Sequence, residues 1–292
     1  MFELIRVAER TGYIQSPAKI GVFELGGGAV CLIDSGNDKD AGRKLRQHLD
    51  VSGRKLKAIY NTHSNADHIG GNKYLQSQTG CRIYAPGIEC DFTNHPVLEP
   101  AFLYGGYPCK DLRHKFLMAQ ESSAEPLTDA VLPEGFSIIP LPGHFFDMVG
   151  YRTADSVVFL ADCLSSRETL DKYQIGFIYD VAAYLGTLEK VKAMQAPVFI
   201  PAHAAATEDI APLAQVNIDK VHEIAEIIVS LCAEALCFEE ILQKLFNRYQ
   251  LVMNAEQYVL VGSTVRSYLA WLKDSGRLQV SFEDSRMLWQ RV

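Results

Sequence analysis

The stretch Asn61-Thr62-His63-Ser64-Asn65-Ala66-Asp67-His68-Ile69-Gly70-Gly71 places two imidazoles and a carboxylate within six residues. It follows directly on the apolar run Leu56 to Tyr60 and closes on two glycines. Imidazole nitrogen and carboxylate oxygen are ligands for zinc or iron. The apolar run reads as one buried strand, and the C-terminal end of a strand is where α/β proteins place their chemistry.

Outward from that stretch, the same device recurs. Phe136 to Leu141 is an apolar strand that runs into Pro142-Gly143-His144. Ser156 to Leu160 leads to Ala161-Asp162, and Val198 to Ile200 leads to Pro201-Ala202-His203. A single strand-end histidine is commonly no more than a hydrogen-bonded polar residue. Four of them, His63, His68, His144 and His203, with Asp67 and Asp162, describe a scattered metal site that a two-sheet fold would gather.

The rest of the chain supports an α/β (α+β) reading. Ile20 to Leu25 and Ala29 to Ile33 form a hairpin around Gly26-Gly27-Gly28. Asp40 to Leu49, Gly71 to Gln78 and Val181 to Met194 read as helices, and Arg82 to Tyr84 as a short strand. Residues 86–130 read as a long irregular insert, rich in Pro, Gly and aromatics. Its aromatic content argues against disorder and for shaping a pocket. From Pro212 the pattern changes to three helices and a final hairpin over Leu278 to Val292, the order of a winged-helix module. Two units are therefore expected, 1–212 and 213–292.

Composition bounds the partners. The chain has 292 residues, is 48% hydrophobic and carries a net charge of -7, so a phosphate-binding surface over the whole molecule is not expected. From Val216 onward, eight Lys or Arg face ten Asp or Glu, which argues against duplex binding despite the winged-helix order. The stripes Ile224, Ile227, Ile228, Leu231 and Leu260, Val261, Val265, Leu269, Leu272 suit packing on the main unit or formation of a homodimer. Seven cysteines without a CxxC pair suit a reduced, cytoplasmic setting. The N-terminus reads as lacking a secretory signal, and no apolar run reaches the ~20 residues of a membrane helix.

Taken together, the Asp34-Ser35-Gly36 turn, Thr62 to Asn72, Pro142-Gly143-His144, Phe159 to Asp162 and Pro201-Ala202-His203 resemble the metallo-β-lactamase superfamily over about residues 1–210. The resemblance implies a four-layer αββα sandwich and a metal-dependent hydrolase. A metal-bound hydroxide would act on an ester, thioester, amide or phosphodiester of a small-molecule substrate. It implies that His63, residue 65 and His144 form one metal site, that Asp67, His68 and His203 form a second, and that Asp162 bridges both. Asp67 would also orient or deprotonate the water.

Asn65 departs from the pattern, which has a histidine there. An amide oxygen is a weaker zinc ligand than imidazole. Three outcomes stay open: one zinc at the second site, two zinc ions with the first held weakly, or one Fe2+ on His63, His144 and Asp162. The last is the arrangement of the superfamily's persulfide dioxygenases. A non-catalytic metal-binding or dimerising protein is the remaining alternative. Within the insert, Tyr104, Tyr107 and Lys115 are candidates for substrate contact, and His95 and His114 for the site mouth. Cys163, beside Asp162, reads as a packing residue.

Overall fold

The computed structural model describes residues 3–292. Seven strands build the first sheet in sequence order: β1 (Leu4–Arg6), β2 (Thr11–Ile14), β3 (Ile20–Gly26), β4 (Ala29–Ile33), β5 (Lys55–Tyr60), β6 (Arg82–Ala85) and β7 (Ala124–Pro126). The first four pair antiparallel and the last four parallel. Between these strands run α1 (Lys39–Val51), α2 (Ala66–Ile69), α3 (Asn72–Thr79), α4 (Glu89–Asn94) and α5 (Leu98–Tyr104). A second sheet holds β8 (Ser137–Pro140), β9 (Val149–Arg152), β10 (Val158–Ser165) and β11 (Phe199–His203), in the order β11-β10-β9-β8. Helices α6 (Arg167–Tyr173) and α7 (Val181–Lys192) connect β10 to β11. The chain ends in α8 (Ala211–Leu231), α9 (Phe238–Tyr249), α10 (Ala255–Asp274) and the hairpin β12 (Leu278–Glu283) and β13 (Arg286–Arg291).

Period-2 alternation in the strands sorts their side chains into layers. In β4, Val30 and Leu32 face α1 and α3 through Leu45, Leu49 and Leu75, whereas Cys31 and Ile33 face the second sheet. In β10, Phe159 joins Phe23, Tyr60 and Tyr151 between the sheets, whereas Val158 and Leu160 face Leu188 and Val191 of α7. The result is the expected αββα sandwich. Ile224 and Ile228 of α8 and Val265, Leu269 and Leu272 of α10 belong to the same core cluster as Val158, Leu160 and α7. The tail's apolar stripes thus pack onto the outer face of the second sheet.

Residues 86–130 differ from the irregular insert expected. They contain α4, α5, β7 and a single 3₁₀ turn at Lys110–Leu112, and a second 3₁₀ turn at Asp129–Val131 crosses their end. Helices of six and seven residues are too short for a 3.6-residue period to declare itself. Pro96, Pro100 and Gly105 further break the pattern, Pro100 being tolerated because it sits in the first turn of α5.

Candidate metal centre

The 61–71 stretch leaves β5 as a loop, forms the single turn α2 and runs into α3. It packs against the 34–37 turn so closely that only glycine fits at its end. A Cβ on Gly70 would come within 2.4 Å of the Asn37 carbonyl carbon, and one on Gly71 within 2.4 Å of Ser35 O. The Ser35 amide donates to His68 O at 2.8 Å. Gly143, at φ +118, lets the chain turn under Tyr184 before His144. Asp162 lies within β10 rather than beyond it. The preceding Ala161 takes a left-handed φ of 49, where the β10–β11 register shifts, and this bulge re-aims the strand at the position of Asp162.

These turns gather His63, His68, His144, His203, Asp67 and Asp162 at one end of the sandwich, as two overlapping clusters. Asp67, His68, Asp162 and His203 form one, and His63, His144 and Asp162 the other. His68 Nε2 stands 3.0 Å from Asp162 Oδ1 and 3.8 Å from Asp67 Oδ2. His203 Nε2 stands 3.1 Å from Asp162 Oδ2 and 3.3 Å from Asp67 Oδ2. His144 Nε2 lies 3.7 Å from Asp162 Oδ2 and 3.2 Å from Asn65 Oδ1.

Each imidazole has its other nitrogen committed to the protein. His63 Nδ1 meets Thr62 Oγ1 at 2.9 Å, and that hydroxyl donates to Asp34 Oδ2, so it accepts from the ring. His68 Nδ1 donates to Asp34 Oδ2 at 2.7 Å, His144 Nδ1 to Phe177 O at 3.0 Å and His203 Nδ1 to Pro17 O at 3.0 Å. In the neutral imidazole this leaves the lone pair on Nε2, and all four Nε2 atoms belong to the two clusters. His63 Nε2 is buried without a hydrogen-bond partner, whereas His68 Nε2 and Asp162 Oδ1 face each other. Buried polar atoms are rarely orphaned unless a further ligand completes them.

A divalent cation fits this set. Donors about 2.0–2.1 Å from zinc in a tetrahedron are separated by about 3.3 Å, and the spacings above bracket that value. The proton affinities carry the same message. Burial opposes protonation of His63 and His144 and holds both below the ordinary histidine range, His63 well below. Burial also opposes protonation of His68 and His203, but Asp162 and Asp67 outweigh it, lifting His68 well above the usual range and His203 to about 10. The imidazolium charge on His68 and His203 outweighs burial at Asp67 and Asp162 and holds both well below the usual carboxylate range. The carboxylates thus demand positive charge at the point where they converge with the Nε2 atoms.

Asn65, half-buried at the start of α2, donates from Nδ2 to Glu99 Oε1 at 2.7 Å while its Oδ1 faces His144. Glu99 and Glu89 are buried carboxylates from the insert. Glu89 accepts from the Ser64 and Asp147 amides at 3.1 and 2.9 Å, and burial raises it to about 7. Sequence reasoning missed both glutamates, which have no motif around them, and the role of Asp34. A carboxylate at a strand end in a known turn was the available signal for Asp34. Of the weaker candidates, Tyr104 lies beside Arg266 and Trp271 in a separate cleft, Tyr107 is exposed next to Arg113, and Lys115 pairs with Asp38 at 3.0 Å. His95 and His114 share another surface pocket. The cavity at the cluster is lined instead by His144, Asp162 and His203, the apolar side chains Leu164, Ile178, Val221 and Ile224, and Lys220 and Tyr268.

A two-sheet sandwich that converges four imidazoles and two carboxylates at one end of its sheets is the architecture of a metal-binding class. The chain belongs to the metallo-beta-lactamase superfamily, whose family model matches residues 15–203. It is 28% identical over 136 residues to a hydroxyacylglutathione hydrolase of Pseudomonas entomophila (strain L48), covering 46% of this chain and 42% of that protein. The corresponding enzyme of Thiobacillus denitrificans is 30% identical over 120 residues, covering 41% and 38%. The chain thus spans less than half the length of these curated relatives. The fold is similar to a beta-lactamase domain protein from Burkholderia ambifaria, with a TM-score of 0.74 at 18% identity over 99% of this chain and 94% of the other. It is also similar to a metallo-beta-lactamase family protein from Thermus thermophilus, with a TM-score of 0.71 at 17% identity over 94% of each chain. No helix among the described residues is long and apolar enough to cross a membrane.

Proposed function

We propose that this chain is a metal-dependent hydrolase acting on an ester or thioester, with zinc as its metal. The observation that carries the reading is the convergence of four imidazoles and two carboxylates in two overlapping clusters, with His63 Nε2 buried and unpartnered. His63, His144 and Asp162, with Asn65, would hold one cation, and Asp67, His68, His203 and Asp162 a second. Divalent cations in such a set activate a water and polarise a carbonyl or phosphoryl oxygen. Asp67, the more open of the two clustered carboxylates at 40% side-chain exposure, is held ionised and is read as the acceptor that would orient or deprotonate that water.

Convergence of Asp67, His68 and His203 with Asp162 favours a two-cation site over a lone iron on His63, His144 and Asp162, because a single-iron site would leave His203 without a role. The relatives named hydroxyacylglutathione hydrolase support a thioester, and the apolar wall of Leu164, Val221 and Ile224 suits an acyl group. The C-terminal helices, which with their hairpin follow winged-helix order, contribute that wall through α8 and α10 and are read as closing the cavity.

The test is metal analysis of protein purified without chelator, followed by hydrolysis of glutathione thioesters, nitrophenyl esters and a nitrophenyl phosphodiester. We expect bound zinc, thioester or ester turnover, and loss of turnover on chelation that zinc restores. A protein that takes up no divalent metal, or that is metal-loaded and cleaves none of the panel, would overturn the proposal.

A further inference from the structure

We propose that Glu99 fixes the Asn65 side chain with its amide oxygen toward the cation position of His63 and His144, so that a carboxyl–amide pair supplies the donor an imidazole would otherwise give. The inference rests on the metal-dependent reading above and concerns how that reading survives Asn65.

An amide side chain has two chemically opposite ends of nearly equal size, and only the oxygen can bind a cation. Left alone, Asn65 could present either. Glu99 sets the orientation seen here, its Oε1 accepting from Asn65 Nδ2 at 2.7 Å. The oxygen end is thereby turned to His144, 3.2 Å from Nε2. His144 spends its ring N–H on the Phe177 carbonyl at 3.0 Å, so its Nε2 presents a lone pair as well. Two acceptors confront each other at this distance with no proton between them. A shared cation turns that repulsive contact into two favourable ones.

Glu99 also answers the weakness of an amide as ligand. A hydrogen-bond acceptor on the N–H end draws electron density toward the amide oxygen, as an acceptor behind a metal-bound histidine strengthens that ring. A purely structural role would be to tie α5 to the 61–71 loop, and Glu99 is suited to that too, being 5% exposed and carried on α5. The two roles differ in what they predict for the metal. Tying the loop affects both cation positions, since the loop carries ligands of both. Setting the polarity of Asn65 affects only one.

The experiment titrates the full-length apo protein with zinc against a chromophoric chelator, and with cobalt followed by its visible absorption. His63→Ala assigns which binding step belongs to the site containing Asn65. We expect two ions per wild-type chain. Glu99→Leu is expected to weaken the His63 site roughly ten- to hundred-fold and leave the Asp67–His68–His203 site unchanged, the latter serving as the internal check of folding. Glu99→Gln retains an acceptor oxygen for Nδ2 and should recover part of the loss. Asn65→Ala should cost as much as Glu99→Leu, and the double variant no more than either, the signature of two residues acting as one unit.

A Glu99→Leu protein that binds both ions as tightly as wild type would overturn the inference. So would equal weakening of both sites, or additive losses from Asn65→Ala and Glu99→Leu. A wild type binding a single ion at the second site would overturn it while leaving metal-dependent hydrolysis standing. A wild type binding none would overturn both.

Discussion

Each histidine of the cluster divides its two nitrogens between the fold and the open end of the site, and the consequence is a competition between proton and metal. His203 carries a proton up to about 10 because Asp162 and Asp67 face its Nε2. A cation bound there must displace that proton, and the one on His68. Raised folded values mean that this protonation stabilises the metal-free fold fully below the ordinary histidine range of about 6.5, and that the contribution is lost as pH rises through about 10. Metal affinity should therefore climb with pH across that window. Calorimetric zinc titrations near pH 7.5, in buffers of differing ionisation enthalpy, should show at least about one proton released per ion at the second site. An enthalpy independent of buffer would contradict the assignment of His203 and His68 as ligands. At this scale the sequence was informative for a physical reason. Only a few side chains ligate metals, so His144 and His203 announced themselves after apolar strands, His63 and His68 in the 61–71 motif, and Asp162 at the end of an apolar run. Asp34 and Glu99 act on atoms that folding alone brings near, such as His68 Nδ1 and Asn65 Nδ2, and their identity as plain carboxylates in a turn and an insert carried no such signal.

Among elements, the strands and longer helices were legible because their apolar periods run long enough to be read. The short helices α4 and α5 were not, yet they deliver the two buried glutamates. Glu89 of α4 joins the 61–71 loop to the turn after His144, accepting from the Ser64 and Asp147 amides. Burial raises it from the usual 4.5 to about 7. The unfolded chain releases this proton near 4.5 and the folded chain near 7. The stabilising contribution is thus whole below the lower value and lost as pH rises through the upper one. Wild-type stability should fall between about pH 5 and about pH 8 by on the order of 3 kcal/mol more than that of Glu89→Gln, which has no proton to lose. Urea unfolding at a series of pH values measures the difference. Parallel pH profiles for the two proteins would show that Glu89 titrates normally. The absolute stability of Glu89→Gln is not the readout, since its amide nitrogen would meet one of the two backbone donors.

For the whole molecule, the sequence pointed to two units with a boundary near residue 212, and the structure sets beside that the continuity of one core across it. Leu160 of β10, Leu188 of α7, Ile224 and Ile228 of α8 and Leu269 of α10 belong to one buried cluster. The cavity at the metal cluster takes its walls from both sides of the boundary, His144 and Asp162 from one and Ile224 and Tyr268 from the other. Element order could reveal three helices and a hairpin, but not that their stripes pack on the second sheet, because an apolar stripe does not name the surface that covers it. One shared core implies one cooperative unfolding event. The chain offers a direct probe, since its two tryptophans, Trp271 and Trp289, both lie in the C-terminal elements and pack against that cluster. Tryptophan fluorescence reports the tail, whereas loss of site-bound cobalt absorption reports the strand ends of the sandwich. In urea the metal-loaded protein should lose both signals together. Leu269→Ala, which empties a fully buried position on α10, should lower stability by about 2–5 kcal/mol and move both transitions by the same amount. A fluorescence transition that shifts alone, with the cobalt signal left at its wild-type midpoint, would mean that the C-terminal helices unfold as a separate unit and that the sandwich holds its metal cluster without them.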